Sequence, residues 1–202
     1  EIYDDTTALL LENERAAALA LPEASAAYEA AIETYKQDVA AARMAQWRNR
    51  CVSDGYEPGS TFKLAALLAL VEDCNMPVDK TYDTHHGRAV RVGGKYGPII
   101  QDSHDIGGEI DLKEAVAQSS NVYFAEAVYD HYKDDPGRYV KFLRHLWLDR
   151  TVGLDDIGEA APLIPKYKTD QWSGHTLPNM GYGYAIELPP IHIPVSYTHL
   201  RA

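Results

Sequence analysis

The residues best suited to chemistry are a serine and a lysine three positions apart, Ser60 and Lys63 in "GYEPGSTFKLAALLALVED". A helix returns to one face every three to four residues, so the two side chains would be neighbours one turn apart. Pro58 and Gly59 suit a helix entry, which puts Ser60 in the first turn, where unpaired N–H groups and the positive dipole end favour a developing alkoxide. Ser60 is therefore a candidate nucleophile and Lys63 its candidate base. A base must be neutral. Moving a lysine pKa from about 10.4 to about 7 takes on the order of 4–5 kcal/mol, a shift that apolar burial can supply. From Phe62 to Val71 every residue but Lys63 is apolar, so the helix predicted for roughly 60–73 must be enclosed on nearly all sides.

A bare Ser-x-x-Lys pair arises readily by chance and needs company. "AVAQSSNVYF" supplies it, with Ser119, Ser120 and Asn121 beginning 59 positions after Ser60. A hydroxyl and a carboxamide two residues apart on a turn can point the same way. Ser119 could then relay a proton between a lysine and a leaving amine, while Asn121 holds a substrate amide. Without Ser60 and Lys63, the same three residues would read as a polar junction between two helices.

The elements that must position these groups are legible in part. Residues 23–48 are Ala-rich, with Tyr28, Ile32, Tyr35, Val39 and Trp47 approximating one helical stripe, which reads as a packing helix. After Met76-Pro77 the pattern turns to short extended pieces, with Gly93-Gly94 between "VRV" and "KYGPII" reading as a hairpin. Asp111 and Glu114 have the form of a capping box before Leu112, Ala115 and Val116. A further helix is expected after Asn121. Another is expected after Pro136, with Tyr139, Val140, Phe142, Leu143, Leu146 and Trp147 as its core face. From Gly153 onward Pro and Gly are frequent and helices are not expected.

Composition excludes other classes. The 202 residues are 46% hydrophobic and 24% charged, ordinary for a globular domain. The net charge of −11 argues against a nucleic-acid partner, which would call for clustered Lys and Arg. No run reaches the roughly 18–20 apolar residues of a membrane span. Cys51 and Cys74 bracket the proposed helix and read as free thiols, since about 20 Å of helix is too long for a disulfide to bridge. His85, His86 and His104 with Asp102 and Asp105 lack the spacing of a metal site and read as a surface loop.

Taken together, the Ser-x-x-Lys and Ser-x-Asn elements resemble those of the serine penicillin-recognising enzymes, which pair them with a Lys-Thr-Gly strand. "WRNRCVSDGYEPGSTFKLAALLALVED" is similar to the nucleophile region of penicillin-binding protein transpeptidases, including Asn49-Arg50 and the Glu57-Pro58-Gly59 lead-in. It is closest to the monofunctional, division-type enzymes. "SSNVYFAEAVYDHY", "DDPGRYVKFLRHL", "GLDDIGEAAPLIP" and "MGYGYAIELPP" continue the resemblance in family order. The resemblance implies an α+β fold of the β-lactamase/transpeptidase kind, with helices packed on an antiparallel sheet, incomplete here and dominated by its helical part. It divides the chain into a helical lead-in or insertion (1–46), a partial transpeptidase domain (47–193) and a non-native tail (194–202).

By the same resemblance Ser60 is the acylated nucleophile, Lys63 its base, and Ser119 and Asn121 the second catalytic element. No metal or cofactor is implied. Lys80-Thr81 is followed by Tyr82 and Lys168-Thr169 by Asp170, so the 202 residues contain no Lys-Thr-Gly, and the chain reads as an inactive fragment of an active parent. The implied activity is peptidoglycan D,D-transpeptidation, with stem peptides and β-lactam antibiotics as ligands and cell-division proteins as partners. The implied location is the bacterial cell membrane, with the catalytic domain outside the cytoplasm. A β-lactamase, a D,D-carboxypeptidase or a β-lactam sensor would share the same motifs. A helical interaction module with an accidental Ser/Lys pair is the alternative from another class.

Overall fold

A computed structural model describes residues 5–22, 25–154 and 158–194. The chain separates into two compact units, Glu1–Asn49 and Arg50–Ala202. Only Pro194 of the predicted tail 194–202 falls among the described residues.

The first unit is a pair of packed helices, α1 (Asp5–Leu19) and α2 (Ala26–Trp47). Ser25 caps α2, its Oγ accepting from the Tyr28 amide at 3.1 Å and donating to the Pro22 carbonyl at 2.7 Å. The predicted stripe on α2 is only partly covered. Tyr28, Ile32, Tyr35 and Val39 are half-buried, whereas Trp47 is 74% exposed.

In the second unit, a one-turn helix α3 (Arg50–Ser53) leads to the helix predicted from the apolar run. That helix is continuous from Gly59 to Asp73 but changes pitch. It opens as a 3₁₀ turn (Gly59–Phe62), becomes α4 (Lys63–Leu68) and ends as a π turn (Ala69–Asp73). The wide last turn is closed by the Cys74 amide, which reaches the Ala69 carbonyl at 3.1 Å. The Tyr132 hydroxyl lies 3.0 Å from that same carbonyl. Ala66, Ala69 and Leu70 are fully buried, as a helix without a polar face requires.

Four two-residue strands follow: β1 (Tyr82–Asp83), β2 (Val90–Arg91), β3 (Ile99–Ile100) and β4 (Glu109–Ile110). β1 pairs antiparallel with β4, Tyr82 opposite Ile110, and β2 pairs antiparallel with β3, Val90 opposite Ile100. The β2–β3 pair is the predicted hairpin, with a 3₁₀ turn at Gly94–Tyr96 in its loop.

α5 (Leu112–Gln118) starts where predicted, the Asp111 carboxylate accepting from the Glu114 amide at 2.8 Å. α6 (Asn121–Tyr132) is the centre of the fold, buried along Val122, Tyr123, Phe124, Ala125, Ala127, Val128 and Tyr132. It packs on α4, α5, β1 and β3, and on α7 (Pro136–His145) and α8 (Thr176–Met180).

Two expectations are corrected. Trp147 does not extend the α7 core face. The helix stops at His145 and the backbone turns to positive φ at Trp147, which leaves that ring 59% exposed under the Arg150 guanidinium while Leu148 takes the core position. Gly153 onward is not free of helix either. α8 tolerates Pro178 because that residue lies in the first turn, where no backbone N–H has an intrahelical acceptor.

Cys51 and Cys74 are not joined in a disulfide. No helix among the described residues is long and apolar enough to cross a membrane.

Candidate active site

The segment before Ser60 is fastened to the downstream segment 183–188. Tyr56 and Leu188 exchange backbone hydrogen bonds at 3.1 and 2.9 Å, the Gly59 amide donates to the Gly183 carbonyl at 2.9 Å, and Glu57 Oε1 accepts from the Ala185 amide at 2.9 Å. The approach at Gly183 is close: with φ +89°, a Cβ there would stand 2.0 Å from the Gly59 carbonyl oxygen. Glycine is required for that contact. The zipped lead-in fixes where the helix begins, and hence where Ser60 stands.

All four predicted residues converge. Lys63 Nζ lies 3.1 Å from Ser60 Oγ, 3.0 Å from Ser119 Oγ and 2.7 Å from Asn121 Oδ1, and it also donates to the Ser119 carbonyl. Ser60 and Ser119 are exposed and Asn121 is half-buried, whereas Lys63 is only 5% exposed. Burial pulls the Lys63 pKa from 10.5 down to about 8, against the opposing negative charge of Asp102. Four oxygens surround a nitrogen that carries at most three hydrogens. One of these contacts must therefore reverse or lapse, and when the amine is neutral Ser60 Oγ–H can donate into its lone pair.

The turn between α5 and α6 presents Ser119 and Asn121. Ser119 ends α5 in the left-handed region with φ 55°, and Ser120 caps α6, its Oγ accepting from the Tyr123 amide at 3.0 Å. Asp102 holds this turn from behind. Its Oδ2 accepts from Ser120 Oγ at 3.0 Å, and its Oδ1 accepts from the Val122 amide at 3.2 Å and from the Asn121 amide. The Asn121 carboxamide is aimed by a second bond, Nδ2 donating to the Gln101 carbonyl at 3.1 Å.

Asp102 is the residue that the sequence reading misplaced. It is only 9% exposed and belongs to this cluster, not to a surface loop. The neighbouring groups do form exposed local pairs, His85 with Asp83 at 3.4 Å and His86 with Asp105 at 3.3 Å. His104 joins Ser103 at 2.9 Å and Gln118 at 3.1 Å. Among the described residues, no group of three or more His, Cys, Asp or Glu side chains is placed to hold a metal ion.

The family model of the penicillin-binding protein transpeptidase domain matches residues 6–200. The chain belongs to the penicillin-binding protein transpeptidase domain family. Penicillin-binding protein PbpB of Mycobacterium tuberculosis is 28% identical over 162 residues, covering 80% of this chain and 22% of the relative. "Probable peptidoglycan D,D-transpeptidase PenA" of Neisseria flavescens is 25% identical over 164 residues, covering 77% of this chain and 36% of the relative. The chain thus spans well under half the length of either.

Two solved structures place the fold. The transpeptidase domain of Burkholderia pseudomallei penicillin-binding protein 3 superposes with a TM-score of 0.66 at 20% identity, covering 76% of this chain and 43% of that one. Penicillin-binding protein 3 of Mycobacterium tuberculosis, complexed with aztreonam, superposes with a TM-score of 0.63 at 27% identity, covering 75% of this chain and 32% of that one. The α+β class expected from the sequence is that of these transpeptidase domains, here as a helix-rich portion with small antiparallel ladders.

Proposed function

We propose that residues 47–193 carry the acylation centre of a peptidoglycan D,D-transpeptidase, with Ser60 as nucleophile, Lys63 as base, and Ser119 and Asn121 as the second catalytic element. The observation that carries this reading is the buried Lys63 Nζ within hydrogen-bond reach of Ser60 Oγ, Ser119 Oγ and Asn121 Oδ1. A buried amine whose pKa falls to about 8 is partly neutral near neutral pH and can take the Ser60 proton.

Ser60 Oγ then attacks the carbonyl carbon of the penultimate D-Ala of a stem peptide. The oxyanion forms beside the Ser60 amide at the helix start. The C–N bond to the terminal D-Ala breaks as Lys63, through Ser119, returns the proton to the departing amine. The amine of a neighbouring stem attacks the resulting ester and gives up its proton along the same route, restoring Ser60. Asn121 holds the substrate amide through its carboxamide. β-Lactams enter the first step as amides and stop at the ester. The reaction needs no cofactor or metal.

Labelling with a fluorescent penicillin tests this reading. A covalent band lost in Ser60→Ala supports it, and a band that persists in that variant refutes it. An acceptor amine separates transpeptidation from the β-lactamase, carboxypeptidase and sensor readings, because only a transpeptidase forms the cross-linked amide. Absence of any labelling, even in a longer chain that carries the Lys-Thr-Gly strand, favours a helical interaction module.

The 202 residues contain no Lys-Thr-Gly. That strand supplies one oxyanion donor in the family, so labelling of this chain should run about 10²–10³-fold slower than that of a chain carrying the strand. Equal rates would refute the dependence. The reading also places the parent protein at the bacterial cell membrane, with this domain outside the cytoplasm and cell-division proteins as partners.

A further inference from the structure

The 101–108 segment grips the Ser119–Asn121 turn on both sides. His104 contacts Gln118 at the end of α5, while Asp102 and Gln101 hold the start of α6. The segment is itself pinned to one turn of left-handed backbone, in which His85, His86 and Gly87 take φ values of 53°, 57° and 73° in succession. Left-handed geometry costs an L-residue roughly 1–2 kcal/mol, so two histidines in a row persist only where surrounding bonds hold them.

Those bonds run to residues 102–108. The Thr84 amide donates to the Gly108 carbonyl at 2.8 Å, the His86 amide to the Gly107 carbonyl at 3.1 Å, and the Asp102 amide to the Gly87 carbonyl at 3.1 Å. Thr84 is fully buried, and its Oγ1 lies 2.7 Å from the Gly107 carbonyl and 2.9 Å from that of Gly108. The hydroxyl has one hydrogen, and both acceptors within its reach belong to this segment. Gly87 is pressed against the same segment, since a Cβ there would stand 2.2 Å from the His104 carbonyl oxygen. The exposed His86–Asp105 pair adds little.

We propose that Thr84 is a positioning residue for the acylation centre: by bonding Gly107 and Gly108 it fixes Asp102, and through Asp102 the Ser119–Asn121 turn around Lys63. The consequence for catalysis rests on the reading of Ser60 and Lys63 given above. The mechanical link does not.

Thr84→Val keeps the shape and removes the hydroxyl hydrogen, whereas Thr84→Ser keeps the hydrogen. Hydrogen exchange of the Asn121 and Val122 amides, which Asp102 holds, should rise about tenfold in Thr84→Val, the scale of one lost hydrogen bond, and stay near wild type in Thr84→Ser. The α7 amides of Tyr139–Leu143 should not change. Fluorescent-penicillin labelling should slow by about one to two orders of magnitude in Thr84→Val and recover in Thr84→Ser, as expected for a small misplacement of reacting groups. Unchanged exchange at Asn121 and Val122, equal effects of Val and Ser, or a uniform rise that includes α7 would each overturn the proposal. If exchange moves as expected but no protein labels at Ser60, including a longer chain that carries the Lys-Thr-Gly strand, the positioning link stands and the acylation reading falls.

Discussion

Lys63 and Asn121 meet across 2.7 Å, the Nζ of one buried helix donating to the carboxamide oxygen at the head of another. The contact joins α4 to α6, which share the apolar core, so neither helix can shift without disturbing packing. Asn121 is held a second time through Nδ2. The polar cluster therefore inherits its rigidity from the apolar one.

In a longer chain that carries the Lys-Thr-Gly strand, Lys63→Arg should abolish penicillin acylation while leaving the fold intact. Arginine keeps the charge and most of the stem but does not lose its proton in a protein. The checks are fluorescent-penicillin labelling and a far-ultraviolet circular dichroism spectrum. Retained labelling in a folded variant would remove the lysine from the mechanism.

Asp102 faces two ways, capping α6 and lending negative charge to Lys63. Asp102→Ala should cost about 1–2 kcal/mol in a denaturant melt, the usual loss for a helix cap. Asp102→Asn removes the charge that favours the ammonium, so the Lys63 pKa should fall further. The acidic limb of the acylation pH profile should then move to lower pH. A limb that stays in place would show that the carboxylate acts through geometry alone.

The sequence made the cluster legible only in part, because its parts are signalled over different distances. Ser60, Lys63, Ser119 and Asn121 are marked by local spacing, as is the Asp111 cap of α5, each within about one helical turn. Asp102 is not, since its partners Ser120, Asn121 and Val122 lie 18–20 residues away and nothing adjacent distinguishes it from Asp105. Trp147 continues the helical period of α7, yet the chain leaves the helix before reaching it. α8 was hidden by Pro178 and Gly181, which read as breakers although one lies in the first turn of a five-residue helix and the other follows its last residue.

Tyr132→Phe should destabilise the protein by about 1 kcal/mol. The hydroxyl sits 3.0 Å from the Ala69 carbonyl and 2.9 Å from Asp73 Oδ2, and burial raises its pKa, so it remains a donor throughout the accessible pH range. Arg138 Nε still holds Asp73 at 2.8 Å in the variant, which limits the loss. A denaturant melt checks this value, and a loss above about 3 kcal/mol would mean that the π turn depends on the phenol.

The last prediction follows from the direction of the Lys63 shift. Burial lowers the folded pKa to about 8 against an ordinary value of 10.5, so between those two pH values the unfolded chain binds more protons than the folded one. Stability must then rise with pH across that window, and the penalty of charging Lys63 is complete below about pH 8. A shift of this size corresponds to about 3 kcal/mol. Other groups titrate in the same range, and tyrosines such as Tyr123, pushed up to about 12, lower stability above pH 10. The quantity to measure is therefore the difference between wild type and Lys63→Met in denaturant melts at pH 7, 8.5 and 10. Wild type should gain on the variant as pH rises, by up to about 3 kcal/mol. A constant difference would show that Lys63 titrates in the fold as it does in water, and that the cluster does not prepare it as a base.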